Sequence, residues 1–188
     1  MPRHFEPAHD ERLVIVITRR IGAGKTTAAQ YLSSRHGFQY LRYSQVLSEW
    51  KGPESKAHLQ EIGWEVMGKG MQGELNRRLI AQIRPEFGVA VDGLRHPLDY
   101  ESLRNSFASS FHFLFIDSSQ EQRWNRKKVK DKYRTFASFK AADSHPVEQH
   151  IESLRANATL VLQNNESLQD LYGALDEAMR SFGKEVPA

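Results

Sequence analysis

Leu13-Val14-Ile15-Val16-Ile17-Thr18-Arg19-Arg20-Ile21-Gly22-Ala23-Gly24-Lys25-Thr26-Thr27 is the stretch that decides the fold. Its first five residues are an apolar run rich in β-branched side chains, the composition of a strand buried on both faces of a parallel sheet. A glycine-bearing turn follows. Thr26 to Arg35 then reads as a helix, and Gly37 closes it, since a left-handed residue commonly ends a helix. A strand, a glycine turn and a helix N-terminus in that order gather backbone N–H groups and a positive helix end at one point, which makes an anion site. Gly22 and Gly24 let successive N–H groups converge on phosphate oxygens, Lys25 supplies the neutralising cation, and the Thr26 hydroxyl suits Mg²⁺. Gly22, Ala23, Gly24, Lys25, Thr26 and Thr27 are therefore the expected ATP-binding residues. Arg19 departs from the pattern, standing where a first glycine is expected. It is tolerated at negative φ, whereas a left-handed turn there would cost about a kcal/mol or more.

Outward from this loop the chain alternates β and α. A second strand is expected over Phe38–Tyr43 and a long helix from about Ser55 to Arg84, with Leu59, Ile62, Val66, Met67, Met71, Leu75, Leu79 and Ile83 as its apolar stripe. Pro85 and Gly88 break that stretch. Val89-Ala90-Val91 is a third strand ending at Asp92, and Phe111–Ile116 a fourth ending at Asp117. A basic helix is expected over Glu121–Arg134, another from near His145-Pro146, and a fifth strand over Thr159–Leu162. The last helix places Leu168, Leu171, Tyr172, Leu175, Met179 and Phe182 on one face, with Ser167 and Asp170 capping its start. Strands separated by helices predict an α/β fold: a parallel five-stranded sheet with helices on both faces and ligands gathered at the carboxyl ends of the strands.

The 188 residues fit one domain, with residues 1–12 as a loose lead-in. The absence of cysteine excludes a disulfide framework, a thiolate metal site and a cysteine nucleophile. Leu13–Ile17 is far too short to span a membrane or serve a signal peptide, so no membrane partner is expected and the cytoplasm is the expected location. A net charge of +3 and a pI near 9.2 suit a solvated basic face better than a dedicated nucleic-acid surface. The sequence is silent on oligomeric state.

Asp92, at the end of the third strand, is followed by Gly93-Leu94-Arg95, so a carboxylate and a guanidinium emerge at the same sheet edge as the loop. Asp92 could hold a Mg²⁺-bound water or orient the acceptor, while the Arg95 fork suits a phosphate. Catalytic roles are expected for Lys25, Asp92 and Arg126, and metal ligation for Thr26 and Asp92. In the basic segment Arg123, Arg126 and Lys130 share a helical face and could close over a transferring phosphoryl group, with Arg126 the first choice. Trp124 reads as an anchoring aromatic. Asp143 and Glu148 read as structural partners of that segment, and the eight histidines show no metal-ligand spacing.

The loop Thr18–Thr27 and the element Val89-Ala90-Val91-Asp92-Gly93-Leu94-Arg95 together make the chain resemble the P-loop nucleoside monophosphate kinases, adenylate kinase-like and deoxynucleotide kinase-like proteins in particular. The resemblance implies a three-layer P-loop NTPase fold with ATP and Mg²⁺, a helical acceptor-binding insert over residues 44–84 and a basic lid over 119–144. Tyr43-Ser44-Gln45-Val46-Leu47 is similar to the start of the acceptor region, and Leu59-Gln60-Glu61-Ile62-Gly63 to a Leu-Gln-x-x-Gly element. The implied roles are acceptor binding for Ser44, Gln60, Arg95 and Lys130, donor-nucleotide binding for Arg123, and proximity of Thr159–Asn164 to the donor base. Met67 departs from that pattern where an arginine often stands.

Dephospho-coenzyme A kinases, which the loop also resembles, carry acids just after the second strand. This chain has Tyr40-Leu41-Arg42-Tyr43-Ser44 there and no acid until Glu49, which favours an acceptor already ionised, a (deoxy)nucleoside monophosphate. Two alternatives stay open. One is a kinase of a hydroxyl on a small molecule or on a modified base in DNA; the other is a nucleotide-binding regulator with impaired catalysis.

Overall fold

The computed structural model describes residues 12–52, 58–84, 86–128 and 135–186. In chain order its elements are β1 (Val14–Thr18), α1 (Lys25–His36), β2 (Gln39–Arg42), α2 (Tyr43–Lys51), α3 (Leu59–Gly68), α4 (Gln72–Ile80), β3 (Val89–Asp92) and α5 (Pro97–Phe107), then β4 (Phe111–Asp117), α6 (Gln120–Lys128), α7 (Phe136–Asp143), α8 (Pro146–Ser153), β5 (Leu160–Gln163) and α9 (Leu168–Ser181). The strands form one parallel sheet in the order β2-β3-β1-β4-β5. Parallel neighbours need crossovers rather than tight turns, which is why helices intervene.

All five residues of β1 are buried, as a central strand covered on both faces must be. Successive side chains point to opposite faces, and the two cores divide accordingly. Val14 and Val16 join Val91, Phe113 and the side chains of α2 to α5, whereas Ile15 and Ile17 join Ala28, Leu32, Leu171 and Leu175 of α1 and α9. Each fully buried Ile or Leu contributes about 1.5–3 kcal/mol. Ile17 lies level with Asp92, and Asp92 with Arg42, so β1, β3 and β2 open on one edge.

The expected strands are present within a residue of their expected bounds, but several helices differ. The long helix expected from Ser55 is two helices, α3 and α4, because Gly70 at φ 66 turns the chain and the Met71 N–H bonds back to Val66 O at 3.0 Å. Residues 55–57 of that stretch lie outside the described residues. Helix α5 fills the segment after Asp92, where no helix was expected. His96 accepts from Leu98 N–H and Asp99 returns to the His96 N–H, with Pro97 in the first helical position. Helix α7 is a further helix for which the sequence carries no expectation, although Thr135 and Ser138 form a reciprocal cap at its start. The basic helix ends at Lys128 among the described residues, and 129–134 lie outside them. In α9 the Ser167–Asp170 cap forms as expected, but Leu168 is half exposed rather than on the buried face. No helix of the described residues is long and apolar enough to cross a membrane.

Candidate active site

The loop between β1 and α1 takes its shape from glycine. Gly22 and Gly24 adopt φ 89 and 108, which side-chain-bearing residues rarely enter. A Cβ on Gly22 would fall 2.8 Å from Arg123 O, and one on Gly24 would fall 2.6 Å from the Asn164 amide nitrogen, so the loop is pressed from two sides. Arg19 is accommodated without strain: among the described residues, Ala108 is the one non-glycine at positive φ. Buried Ala23 offers its carbonyl to Asn164 at 2.7 Å, and half-buried Thr27 lies in the first turn of α1.

The loop leads Lys25, Thr26 and Asp92 to one point. Lys25 Nζ lies 3.3 Å from Asp92 Oδ1, and the Thr26 hydroxyl donates to Asp92 Oδ2 at 2.9 Å. Asp92 therefore faces the loop rather than merely capping a turn with Gly93. The Tyr40 hydroxyl donates to the same Oδ2 at 3.0 Å, and burial together with that carboxylate raises the phenol above its ordinary pKa. Burial, and next the charge of Arg19, lower the Lys25 pKa to about 7 against the pull of Asp92. Two adjacent hard oxygens, from Thr26 and Asp92, fit Mg²⁺, which binds through few protein ligands plus phosphates and water. No cluster of three or more His, Asp or Glu among the described residues forms a fuller metal cage.

Beside this point opens a cavity of about 280 Å³. Leu47, Leu59, Met67 and Val147 give it apolar walls, with Lys25, Asp92 and Arg95 at one end and exposed Ser44 at its rim. Buried Asp99 and Gln72 also line it. Asp99 accepts from Gln72 at 2.8 Å, from Asn76 at 3.1 Å and from the Arg95 and His96 N–H groups, yet burial still pushes its pKa up to about 7. Gln72 Oε1 has no hydrogen-bond partner, leaving a buried acceptor for a ligand donor.

Arg95 reaches fully buried Glu148 at 3.2 Å, and the other Glu148 oxygen accepts the Ile21 N–H at 3.0 Å. Glu148 thus joins the loop to Arg95 at the cavity and does not pair with the basic segment. Asp143 does pair with it. Arg123, 3% exposed, holds both Asp143 oxygens, and also donates to Ser118 O at 3.1 Å and Ile21 O at 3.0 Å. That spends its donors on the protein, so Arg123 braces the loop from beneath instead of offering a free fork to ATP. Arg126 meets Ser118 Oγ at 3.2 Å and Asn164 Oδ1 at 3.4 Å, not Lys25 or Asp92, and burial lowers its pKa. Trp124 anchors α6 against Phe136 and Phe139, as its sequence context suggests. Lys130 lies outside the described residues, and of Gln60 only the backbone, in α3, is described.

Sequence reasoning missed Tyr40, Glu148 and Gln72 as site residues. Tyr40 stands in the acid-free run after the second strand, and Glu148 reads as a partner of the basic segment. Their roles arise from contacts across 52 and 53 residues respectively, which no local pattern encodes.

No family model matches the chain, and no curated protein matches it in sequence. Solved structures do match it in fold. TT1252 from Thermus thermophilus is 21% identical with a TM-score of 0.59, over 90% of this chain and 97% of that one. A gluconokinase from Sinorhizobium meliloti 1021 is 13% identical with a TM-score of 0.60, over 92% and 96%. A shikimate kinase from Bacteroides thetaiotaomicron is 14% identical with a TM-score of 0.55, over 91% and 98%. With its parallel five-stranded sheet and helices on both faces, the chain has the P-loop α/β fold that such kinases share.

Proposed function

We propose that this chain is a phosphotransferase that passes the γ-phosphoryl group of ATP to a (deoxy)nucleoside monophosphate. The observation that carries the reading is the meeting of Lys25, Thr26 and Asp92 at the mouth of a cavity that Arg95 also lines. Gly22, Ala23, Gly24 and Thr27 shape the donor loop, and Lys25 neutralises the phosphates. Thr26 and Asp92 would hold Mg²⁺, which offsets charge on the phosphates as it is redistributed. Arg126, beside Asn164, is assigned to the donor side. Arg95 would turn from Glu148 to the acceptor phosphate, with Ser44, Gln60 and Lys130 as further acceptor contacts. The apolar walls and the unpaired Gln72 Oε1 suit a heterocycle with an amino edge.

A second reading, phosphorylation of a hydroxyl, has two supports. Asp92 stands at the cavity as a candidate base, and two similar folds belong to a gluconokinase and a shikimate kinase. Salt dependence would expose a DNA acceptor, because several phosphate contacts give a steep slope. The regulator reading is weakened because Arg19 leaves the loop unstrained. The test is ATP turnover with Mg²⁺ against a panel of ribo- and deoxynucleoside monophosphates, nucleosides, sugars and DNA. A nucleoside diphosphate product is the expected result. A phosphorylated hydroxyl with no diphosphate would overturn the monophosphate reading.

A further inference from the structure

Arg19 is the cation at the site that the protein itself leaves under-used. It is 8% exposed, its Nη1 donates to Arg20 O at 2.6 Å, and its Nε is buried without a partner. A guanidinium carries five N–H donors, and a buried one is ordinarily met by a carboxylate fork or several carbonyls. Arg123, one loop-width away, shows the ordinary case, with Asp143, Ser118 O and Ile21 O spending its donors. Arg19 has no such set. The carboxylates that act on it have other partners: Asp92 Oδ2 accepts from Thr26 and Tyr40 while its Oδ1, 3.3 Å from Lys25 Nζ, accepts no hydrogen bond, and Glu148 is held by Arg95 and the Ile21 N–H.

The charges around it favour an anion. Asp92 exerts the largest attraction on Arg19 and Arg95 the largest repulsion, while burial lowers its pKa to about 10. On Lys25, in turn, Arg19 is the largest charge effect. Of three cations that act on one another, Lys25, Arg19 and Arg95, only Lys25 and Arg95 are paired with a carboxylate, and like charges in a low dielectric are costly until an anion joins them. Arg95 is paired with Glu148, whereas Arg19 has no carboxylate of its own and bears most strongly on Lys25, the cation of the phosphate loop.

We infer that Arg19, standing at the loop position where a glycine is expected, is an arginine supplied in cis that grips the γ-phosphoryl group of a bound nucleoside triphosphate beside Lys25. The inference rests on the nucleotide-binding reading above. In the transfer itself the bond from Pγ to the β–γ bridging oxygen breaks, its electron pair leaving with the diphosphate, and a bond from Pγ to the acceptor oxygen forms. Arg19 stays protonated throughout and holds the equatorial oxygens as charge shifts.

The experiment needs no acceptor. Binding of a non-hydrolysable ATP analogue and of ADP, each with Mg²⁺, is measured by calorimetry for the full chain, for Arg19→Gly and for Arg19→Met, with thermal unfolding of the nucleotide-free proteins alongside. Losing a charge-assisted contact should weaken the triphosphate analogue about tenfold to a hundredfold in both variants and leave ADP within about threefold. Without nucleotide, the unfolding midpoint should not fall, because the removed cation was poorly satisfied. An unchanged ratio of triphosphate to diphosphate affinity overturns the inference, whether or not the midpoint drops, and leaves the proposed function standing. Equal loss of both nucleotides assigns Arg19 to loop support and overturns it as well. If the unaltered protein binds neither nucleotide, the proposed function fails and the inference fails with it.

Discussion

Replacing Asp143 with alanine should destabilise the protein severely, even though Asp143 touches no part of the cavity. Its carboxylate is 1% exposed and holds both arms of Arg123, itself 3% exposed, with further contacts to Gln120 at 3.0 Å and Arg20 at 3.3 Å. The substitution strands the Arg123 charge in the interior with two backbone carbonyls. Breaking a buried pair in this way costs about 3–5 kcal/mol. In a chain of 188 residues each kcal/mol moves the unfolding midpoint by about 2–4 °C, so a fall of roughly 6–20 °C is expected. The Asp143 pKa is pushed up by burial, but the hydrogen bonds from Arg123 and Gln120 outweigh this and hold it below the usual aspartate range. A depressed carboxylate contributes stability above its unfolded pKa and loses it as pH falls through the folded one. The gap between wild type and Asp143→Ala should therefore be full at neutral pH and shrink in acid, below the ordinary aspartate range. The assay is thermal unfolding of both proteins at a series of pH values, with Arg123→Met/Asp143→Leu as a control that removes the stranded charge and recovers part of the loss. A fall of less than about 2 °C for Asp143→Ala at neutral pH, or a gap that widens in acid, refutes the brace.

Four further outcomes are expected. Lys25→Met should abolish phosphoryl transfer while moving the unfolding midpoint by only a few degrees, since Lys25 serves phosphates rather than packing; retained turnover would remove the proposed mechanism. Arg95→Ala should raise the acceptor KM far more than the ATP KM, and an unaltered acceptor dependence would take Arg95 out of the site. Because burial raises Asp99 to about 7, its contribution to stability is full below about pH 4 and is lost as pH rises through 7. Asp99→Asn should flatten the change in midpoint between pH 4 and 8, an effect read by calorimetric scans. Gly24→Ala forces a side chain to φ 108 and against Asn164, so it should cost about 1–3 kcal/mol and lower nucleotide affinity, measured by urea unfolding and ATP binding.

The sheet and the loop were legible because their signals are local and redundant. Five consecutive apolar residues at 13–17, glycines at the tight points and a helix behind them leave few other conformations. The α3–α4 break was not, since the apolar stripe runs straight over it: Val66 and Leu75 are both buried although Gly70 turns the chain between them. Helix α5 was missed because its cap is His96, a residue outside the usual capping set. The meeting of Lys25, Thr26 and Asp92 was legible because each lies at the end of a strand or the start of a helix. The fate of Arg123 was hidden. Its spacing with Arg126 is real, but nothing local told which arginine would be turned inward by Asp143, 20 residues on.

The division of the interior by the sheet carries an implication for descent. The glycine loop and the cavity beside it rest largely on different cores, α1 and α9 on one side and α2 to α5 on the other. A change at Leu47 or Leu75 reshapes the cavity wall through one core without repacking Ala28, Leu32 or Leu175 in the other. If the proposed phosphotransfer holds, such a chain can change its acceptor, one tolerated exchange at a time, while the shape of its phosphate loop stays intact.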